Sequence, residues 1–329
     1  MLNRLCTLLL AGCLLAPLSC SQRTPEDTKP TPDGLQHPEI SLRALAQANT
    51  RVVSLDWDAA LTSAVICKAV YLDEPDENAS LRDIGFSKIL GFTKGSSRAV
   101  ACSNEDVVVI AFRGTDQLSD WAINADLRRE KVKDGEIHRG FYEATLSLYS
   151  DLCKAAEEQG AESKSVCIMG HSLGGAMALT FAYEAKARNE LNITALFTFG
   201  QPLLLSLPLA EQVNKMFGQS YRRFVNGSDI VTRLLPKFRH AGSRVHLTDE
   251  GFELLPPSIA SREVDGDKNE TEDPEAMTVQ EFQNLKIEIQ ATTNSSRADG
   301  EVAVASIQIP WLADHSLEQY ESRIRRIAK

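Results

Sequence analysis

Unbroken apolar runs alternate with amphipathic stretches along most of this chain, and the spacing predicts strands alternating with helices. From Asp56, "DWDAALTSAVICKAVYLD" sets apolar residues at helical spacing behind an aspartate of the kind that caps helices, which predicts a helix over one sheet face. "RAVACSNEDVVVIAFRGT" then reads as two strands around the turn "SNED". The continuous run Val107 to Phe112 suits a central strand buried on both sides. A helix from about Phe141 to Gln159, the strand "KSVCIMG", a helix after Ser172, and the short runs "ITALFTFG" and "SYRRFVN" follow. That order predicts an α/β fold, a mostly parallel central sheet with helices on both faces and right-handed crossovers.

The ends and one interior stretch depart from this rhythm. "MLNRLCTLLLAGCLLAPLSC" places Arg4 before a short apolar run that ends in small residues, the layout of a secretory signal. The run Leu5 to Leu18 is shorter than the roughly 20 apolar residues that span a bilayer, and it contains Pro17. "LAGC", ending at Cys13, resembles a bacterial lipobox, while Cys20 has the more polar downstream context; both are lipidation candidates. The expectation is a signal over 1–20, a Pro- and Thr-rich flexible tether over 21–38 and a folded domain over 39–329. The product would be an exported, membrane-anchored lipoprotein of the cell envelope.

Within the domain, "REVDGDKNETEDPE" from Arg262 to Glu275 carries seven acidic and two basic residues and reads as a solvated surface loop, an insertion over about 262–276. After it, Asn284 to Ile307 alternates in strand fashion and predicts a hairpin near the site.

Composition narrows the function classes. A chain of 329 residues that is 43% hydrophobic can bury a large core. A formal net charge of −10 argues against nucleic acid and anionic membrane surfaces as partners, because both are held by Lys and Arg. Cys67, Cys102, Cys153 and Cys167 show no disulfide framework and no C-x-x-C pair, so they read as buried thiols, with pairing of Cys153 and Cys167 left open. No zinc site or other metal is expected.

The candidate chemistry begins at "GHSLGG", which fits the G-x-S-x-G elbow, a sharp strand-to-helix turn that exposes a serine Oγ at the helix N-terminus. Ser172 is then a candidate nucleophile. Acyl transfer also needs N–H donors for the oxyanion; the elbow supplies the N–H of Leu173, and the strand-end "FRGT" supplies that of Thr115.

These pieces resemble the class 3 lipases, the family of the fungal triacylglycerol lipases. "FRGT" at Phe112, "IHRGF" at Ile137, "GHSLGGA" at Gly170, "TFGQP" at Thr198, "NGSDIVTRLLP" at Asn226, "FRHAG" at Phe238 and "DHSLEQY" at Asp314 occur in the family's order. The resemblance implies an α/β-hydrolase fold with Ser172 as nucleophile, His315 as base and Asp229 as the acid that orients it. The order Ser, acid, His is the one this fold uses. Among the other histidines, His37 lies in the tether and His171 is too close in sequence to turn onto Ser172. His138 and His240 fall at family positions read as structural, and His246 falls in a predicted strand. Asp249 in "HLTDEG" is the alternative acid.

The resemblance further implies a lid at Asp116 to Leu127, with Leu118, Trp121 and Ile123 as its apolar residues; the same stretch also reads as a short solvated helix with Trp121 packed inward. "LLLS" after "TFGQP" departs from the family pattern. The expected activity is carboxylic ester hydrolysis on lipid esters, without cofactor. The alternative is an inactive hydrolase-like lipoprotein that binds lipids or an envelope partner.

Overall fold

In a computed structural model of the chain, the apolar run Val107–Phe112 is a strand in which every residue is buried. The described residues are 40–48, 55–257, 273–298 and 310–328, all within the compact unit Glu39–Lys329. The signal, the tether, Cys13 and Cys20 lie outside them.

The strands are β1 (Lys88–Lys94), β2 (Ser97–Ser103), β3 (Val107–Phe112), β4 (Arg129–Val132), β5 (Gly135–His138), β6 (Ser165–His171), β7 (Ile193–Phe199), β8 (Tyr221–Asn226), β9 (Ser243–Leu247) and β10 (Phe252–Leu255). Eight of them form one sheet in the order β1-β2-β3-β6-β7-β8-β9-β10, while β4 and β5 pair separately. From β3 to β9 every pairing is parallel, and antiparallel strands flank this core at both edges.

The helices are α1 (Leu42–Gln47), α2 (Trp57–Ala69), α3 (Glu74–Ile84), α4 (Leu118–Asn124), α5 (Arg139–Glu158), α6 (Leu173–Ala187), α7 (Leu207–Phe217), α8 (Val279–Ala298) and α9 (Leu317–Ile327). Successive strand side chains point to opposite faces, and β3 shows the consequence. Val108, Ile110 and Phe112 join the core made with α5 and α6, whereas Val107, Val109 and Ala111 join the core made with α1, α2 and α9. The sheet is therefore covered on both sides, as the continuous strands require.

Local signals are met where they were strongest. Asp56 Oδ1 accepts from the N–H of Ala59 and caps α2. The turn "SNED" joins β2 to β3 as an antiparallel pair. Helix α5 begins two residues before Phe141 because His138 supplies the cap, its Nδ1 accepting from Phe141 N–H at 3.4 Å. All four cysteines of the domain are free and buried.

Two expectations are corrected. The alternating stretch from Asn284 is helical as far as Ala298, and residues 299–309 lie outside the described set. Its first apolar residues alternate, but Leu285 and Ile289 also share a helical face with the preceding Phe282 and are buried there, while Ile287 falls off that face and is left 67% exposed. The helix start was legible in "TVQE". Thr278 Oγ1 accepts from Glu281 N–H, and Glu281 Oε2 accepts from Thr278 N–H, a capping box.

The acidic segment is not solvated at its end. Asp273 is buried and accepts from the N–H of His240, and Glu275 takes two hydrogen bonds from the guanidinium of Arg223, which is 2% exposed in the middle of β8. A buried guanidinium needs its countercharge. Burial would raise the Glu275 carboxyl, but Arg223, His240 and Arg244 outweigh it and bring it down to about 2. Glu275→Gln leaves Arg223 buried without a full partner and is expected to cost about 3 kcal/mol in urea unfolding. A loss below a few tenths would mean that water satisfies Arg223.

Candidate active site

The elbow forms because three pieces of backbone approach too closely for side chains. A Cβ on Gly170 would collide with the carbonyl of Gly174 and come within 2.8 Å of Gly175 N. A Cβ on Gly174 would collide with the carbonyl of Phe112 and come within 2.9 Å of Gly114 N. The strand, the helix and the "FRGT" loop are thereby held against one another. Ser172 sits between them at φ 58°, ψ −129°, a backbone region that costs a residue with a Cβ about 1–3 kcal/mol. Its N–H donates to Phe199 O at 2.8 Å, which fixes the turn to β7.

The residue after Phe199, Gly200, brings the other two side chains in. Gly200 has φ +59°, and a Cβ there would lie 2.7 Å from His315 Cε1 and 2.8 Å from Asp229 Oδ2. His315 ends the 3-10 turn Pro310–His315, and Asp229 precedes the turn Ile230–Arg233. His315 Nδ1 lies 3.0 and 2.9 Å from the two Asp229 oxygens. A carboxylate only accepts, so Nδ1 carries the hydrogen and Nε2 is left as the basic nitrogen. His315 Nε2 and Ser172 Oγ are both buried, and neither has a hydrogen-bond partner among the described residues.

Burial alone would raise the Asp229 carboxyl. The facing His315 and hydrogen bonds from His315, Tyr320 and the N–H of Val231 outweigh it, holding the carboxyl below the ordinary aspartate range. Asp249, the alternative acid, is an exposed partner of Arg323 and Arg326. Asp229 and His315 thus meet at Gly200, Ser172 is held to the residue before it, Phe199, and Asp249 is held on the surface.

Residues 109–239 match the family described as Lipase (class 3). Over that stretch the chain resembles the class 3 lipases. A lipase of Rhizomucor miehei is 32% identical over 163 residues, 46% of this chain and 45% of that protein. A secreted mono- and diacylglycerol lipase of Malassezia globosa, LIP1, is 24% identical over 206 residues, 57% of this chain and 64% of that one. The chain spans less than two thirds of either relative. Among solved structures, the native Rhizomucor miehei lipase propeptide complex aligns with TM-score 0.50 at 26% identity, over 61% of this chain and 70% of that chain. A fungal lipase crystal structure aligns with TM-score 0.53 at 16% identity, over 67% and 89%, a likeness of fold alone. The fold is that of the α/β-hydrolases, as the lipase motifs imply.

The "FRGT" loop of the lipase stretch lies against the elbow. The space a Cβ would take at Gly114 holds the Tyr71 hydroxyl, with His171 O at 2.9 Å and Ser172 Cβ at 3.2 Å. Thr115 Oγ1 accepts from Gln117 N–H, and Leu173 opens α6, so its N–H has no intrahelical acceptor. The lid candidates Leu118, Trp121 and Ile123 are on α4 and partly buried against the core, with the Trp121 ring stacked on Phe141 at 5.7 Å. Helix α8 packs on α4, and Lys286 Nζ donates to Ala125 O at 2.8 Å. Leu203, Leu204 and Leu205 of "LLLS" are buried, and Leu205 bridges Ile137 and Arg239.

His138 donates through Nε2 to Asp126 O, His240 through Nε2 to Thr232 O and His246 through Nε2 to Gly227 O, so none faces Ser172. Among the described residues, no three His, Cys, Asp or Glu side chains converge as metal ligands.

Sequence reasoning passed over two tyrosines. Tyr320 ends the "DHSLEQY" motif, and its hydroxyl donates to Asp229 Oδ2 at 2.7 Å while accepting from Asn226 N–H at 3.0 Å. Its place one helical turn past Ser316 on the final helix was the only available signal. Tyr71, just after α2, carried none; its hydroxyl lies 2.9 Å from His171 Nδ1.

Tyr320→Phe removes a hydrogen bond that depresses the Asp229 pKa. It is expected to cost about 1–3 kcal/mol near neutral pH. That contribution is present above the ordinary aspartate pKa of 3.8 and is lost as pH falls through the lower folded value. The gap between wild type and variant, measured by denaturant unfolding from neutral to acidic pH, should narrow below that point; a gap that widens would contradict the assignment.

Proposed function

We propose that this chain is a serine carboxylic ester hydrolase acting on acylglycerols or related lipid esters. One observation carries the reading: a buried, unpartnered serine Oγ on a strained elbow accompanies a histidine whose Nδ1 is bound to a buried aspartate and whose Nε2 is unpartnered. Such orphaned atoms are costly unless a substrate engages them.

In the proposed reaction Ser172 Oγ attacks the ester carbonyl as His315 Nε2 takes its proton. The tetrahedral oxyanion receives the N–H groups of Leu173 and Thr115. His315 then passes the proton to the departing alkoxide oxygen, which leaves as the alcohol, and Ser172 retains the acyl group. Water attacks the acyl-serine, giving its proton to His315, and collapse of the second intermediate returns that proton to Ser172 Oγ and frees the carboxylic acid. Asp229 stays ionised and holds the imidazole tautomer.

Lipid esters are the favoured class because residues 109–239 match the class 3 lipases. The named activity of the Malassezia relative, on mono- and diacylglycerols, points the same way. The packing of α8 onto α4 argues for a lid restrained in place, and so for only modest activation at an oil surface. We place the protein outside the cytoplasm, on the signal-like N-terminus and the secreted Malassezia relatives, with a lipid anchor at Cys13 or Cys20.

Ser172→Ala, compared with wild type on p-nitrophenyl esters of short and long chains, should lose at least about 10³-fold in kcat. It should also resist labelling by a fluorophosphonate that marks the wild type. Equal hydrolysis by both proteins would overturn the reading, as would a wild type that neither hydrolyses nor labels, the behaviour of an inactive lipid binder.

A further inference from the structure

We infer that His171, the histidine inside the elbow, is a positioning residue that fixes the loop of His315 by donating its Nε2–H to the His315 carbonyl, and that Tyr71 selects the tautomer that makes this bond. The inference deepens the triad reading above and rests on it.

The hydrogen bonds assign the protons. His171 Nε2 lies 2.7 Å from His315 O, and a carbonyl oxygen has no hydrogen to give, so Nε2 carries one. Nδ1 of a neutral ring then has a lone pair, and the Tyr71 hydroxyl donates to it at 2.9 Å. Both ring nitrogens are used, and the ring is buried at 6% exposure.

The neutral form also suits its neighbours. The His171 and His315 rings lie 4.5 Å apart between centroids, tilted by 32°. Two imidazolium ions at that separation would repel, so a protonated His171 would oppose the charge that His315 must acquire when it takes the serine proton. Burial, then the charge on His315, push the His171 pKa down to about 3, and the bond to His315 O and the Asp229 carboxylate only partly offset them.

The place of the bond in the chain makes it consequential. Residues 310–315 form a short 3-10 segment before α9, packed against the turn Ile230–Arg233 and α9, and three backbone and side-chain hydrogen bonds at its end fix where His315 sits. Asp314 O accepts from Asn226 Nδ2 at 2.7 Å, Asp314 Oδ2 accepts from Ser228 N–H at 2.9 Å, and His315 O accepts from His171. The first two tie the turn to the end of β8, on the side of Asp229. The third ties it to the elbow, the element that carries Ser172. Tyr71 extends the connection to the oxyanion loop, since its hydroxyl occupies the space beside Gly114. One buried chain of hydrogen bonds thus runs from the end of α2 through the elbow to the backbone of the base.

A structural histidine that only fills space would give the same burial but not the same kinetics. The test compares Tyr71→Phe, His171→Gln, His171→Leu and Ser172→Ala on a soluble p-nitrophenyl ester, with melting temperatures, and reads the His171 imidazole by nitrogen-15 NMR. His171→Leu is expected to lose about 10²-fold in kcat, the cost of a small misplacement of a reacting group, with little change in KM. His171→Gln can still present an N–H to the His315 carbonyl and should recover most of the loss. Tyr71→Phe should fall between. In wild type the ring should be the neutral Nε2–H tautomer from about pH 5 to about pH 8, where an ordinary histidine titrates.

A folded His171→Leu with wild-type kcat would overturn the inference. So would an Nδ1–H tautomer, or a His171 protonated near neutral pH. If His171→Leu does not fold, Tyr71→Phe and the tautomer decide. Activity in Ser172→Ala would instead sink the triad reading, while the tautomer measurement would still report on the bond.

Discussion

The approach of helix α6 to strands β3 and β6 sets where everything else in the site can sit. With no Cβ at Gly170 or Gly174, the helix N-terminus descends onto the carbonyl of Phe112 and the "FRGT" loop. This brings Ser172, the N–H of Leu173 and the loop of Thr115 to one end of the sheet, where helix N-terminal charge favours a developing anion. The cost is borne at Ser172, whose backbone occupies a strained region that only well-packed surroundings can hold. Those surroundings are the fully buried β3, the almost wholly buried β6 and β7, and the nearly continuous burial of α6.

Around this fixed point the acid and base are assembled from the far end of the chain. Asp229 and His315 are 86 residues apart, and the insertion with α8 lies between them. Their meeting depends on Gly200, whose positive φ and lack of a side chain leave room for the imidazole, and on Tyr320, which secures the carboxylate from α9. A buried carboxylate in contact with histidine and tyrosine is stable only because each oxygen is occupied.

The insertion changes the surroundings of the site more than its chemistry. Helix α8 adds an apolar face against α4, and Glu275, just before it, neutralises an arginine in the middle of the sheet. The described end of the segment, with Asp273 and Glu275, is therefore built into the domain, and α8 after it adds to the core. A charge run reads as solvated when nothing in sequence identifies its partner, and the partner here, Arg223, is 52 residues away in a strand whose other residues are buried too.

What the sequence determined by itself was whatever depends on near neighbours. The unbroken strands, the Asp56 cap, the hairpin at "SNED" and the glycines of the elbow follow from local sterics and periodicity, and the ordered motifs were enough to nominate Ser172, Asp229 and His315. The tertiary structure decided what depends on distant partners. Leu285, Ile287 and Ile289 alternate as a strand would, yet Leu285 and Ile289 also share a helical face with Phe282, and packing against α4 goes with the helix, which leaves Ile287 exposed. Nothing near Tyr71 marks it as a site residue, and the motif that contains Tyr320 does not say what its hydroxyl does, because each acts through a hydroxyl whose acceptor is 100 or 91 residues away. His171 was set aside because it cannot reach its neighbouring serine. The fold shows instead that it reaches the backbone of His315, a contact that sequence adjacency could not reveal.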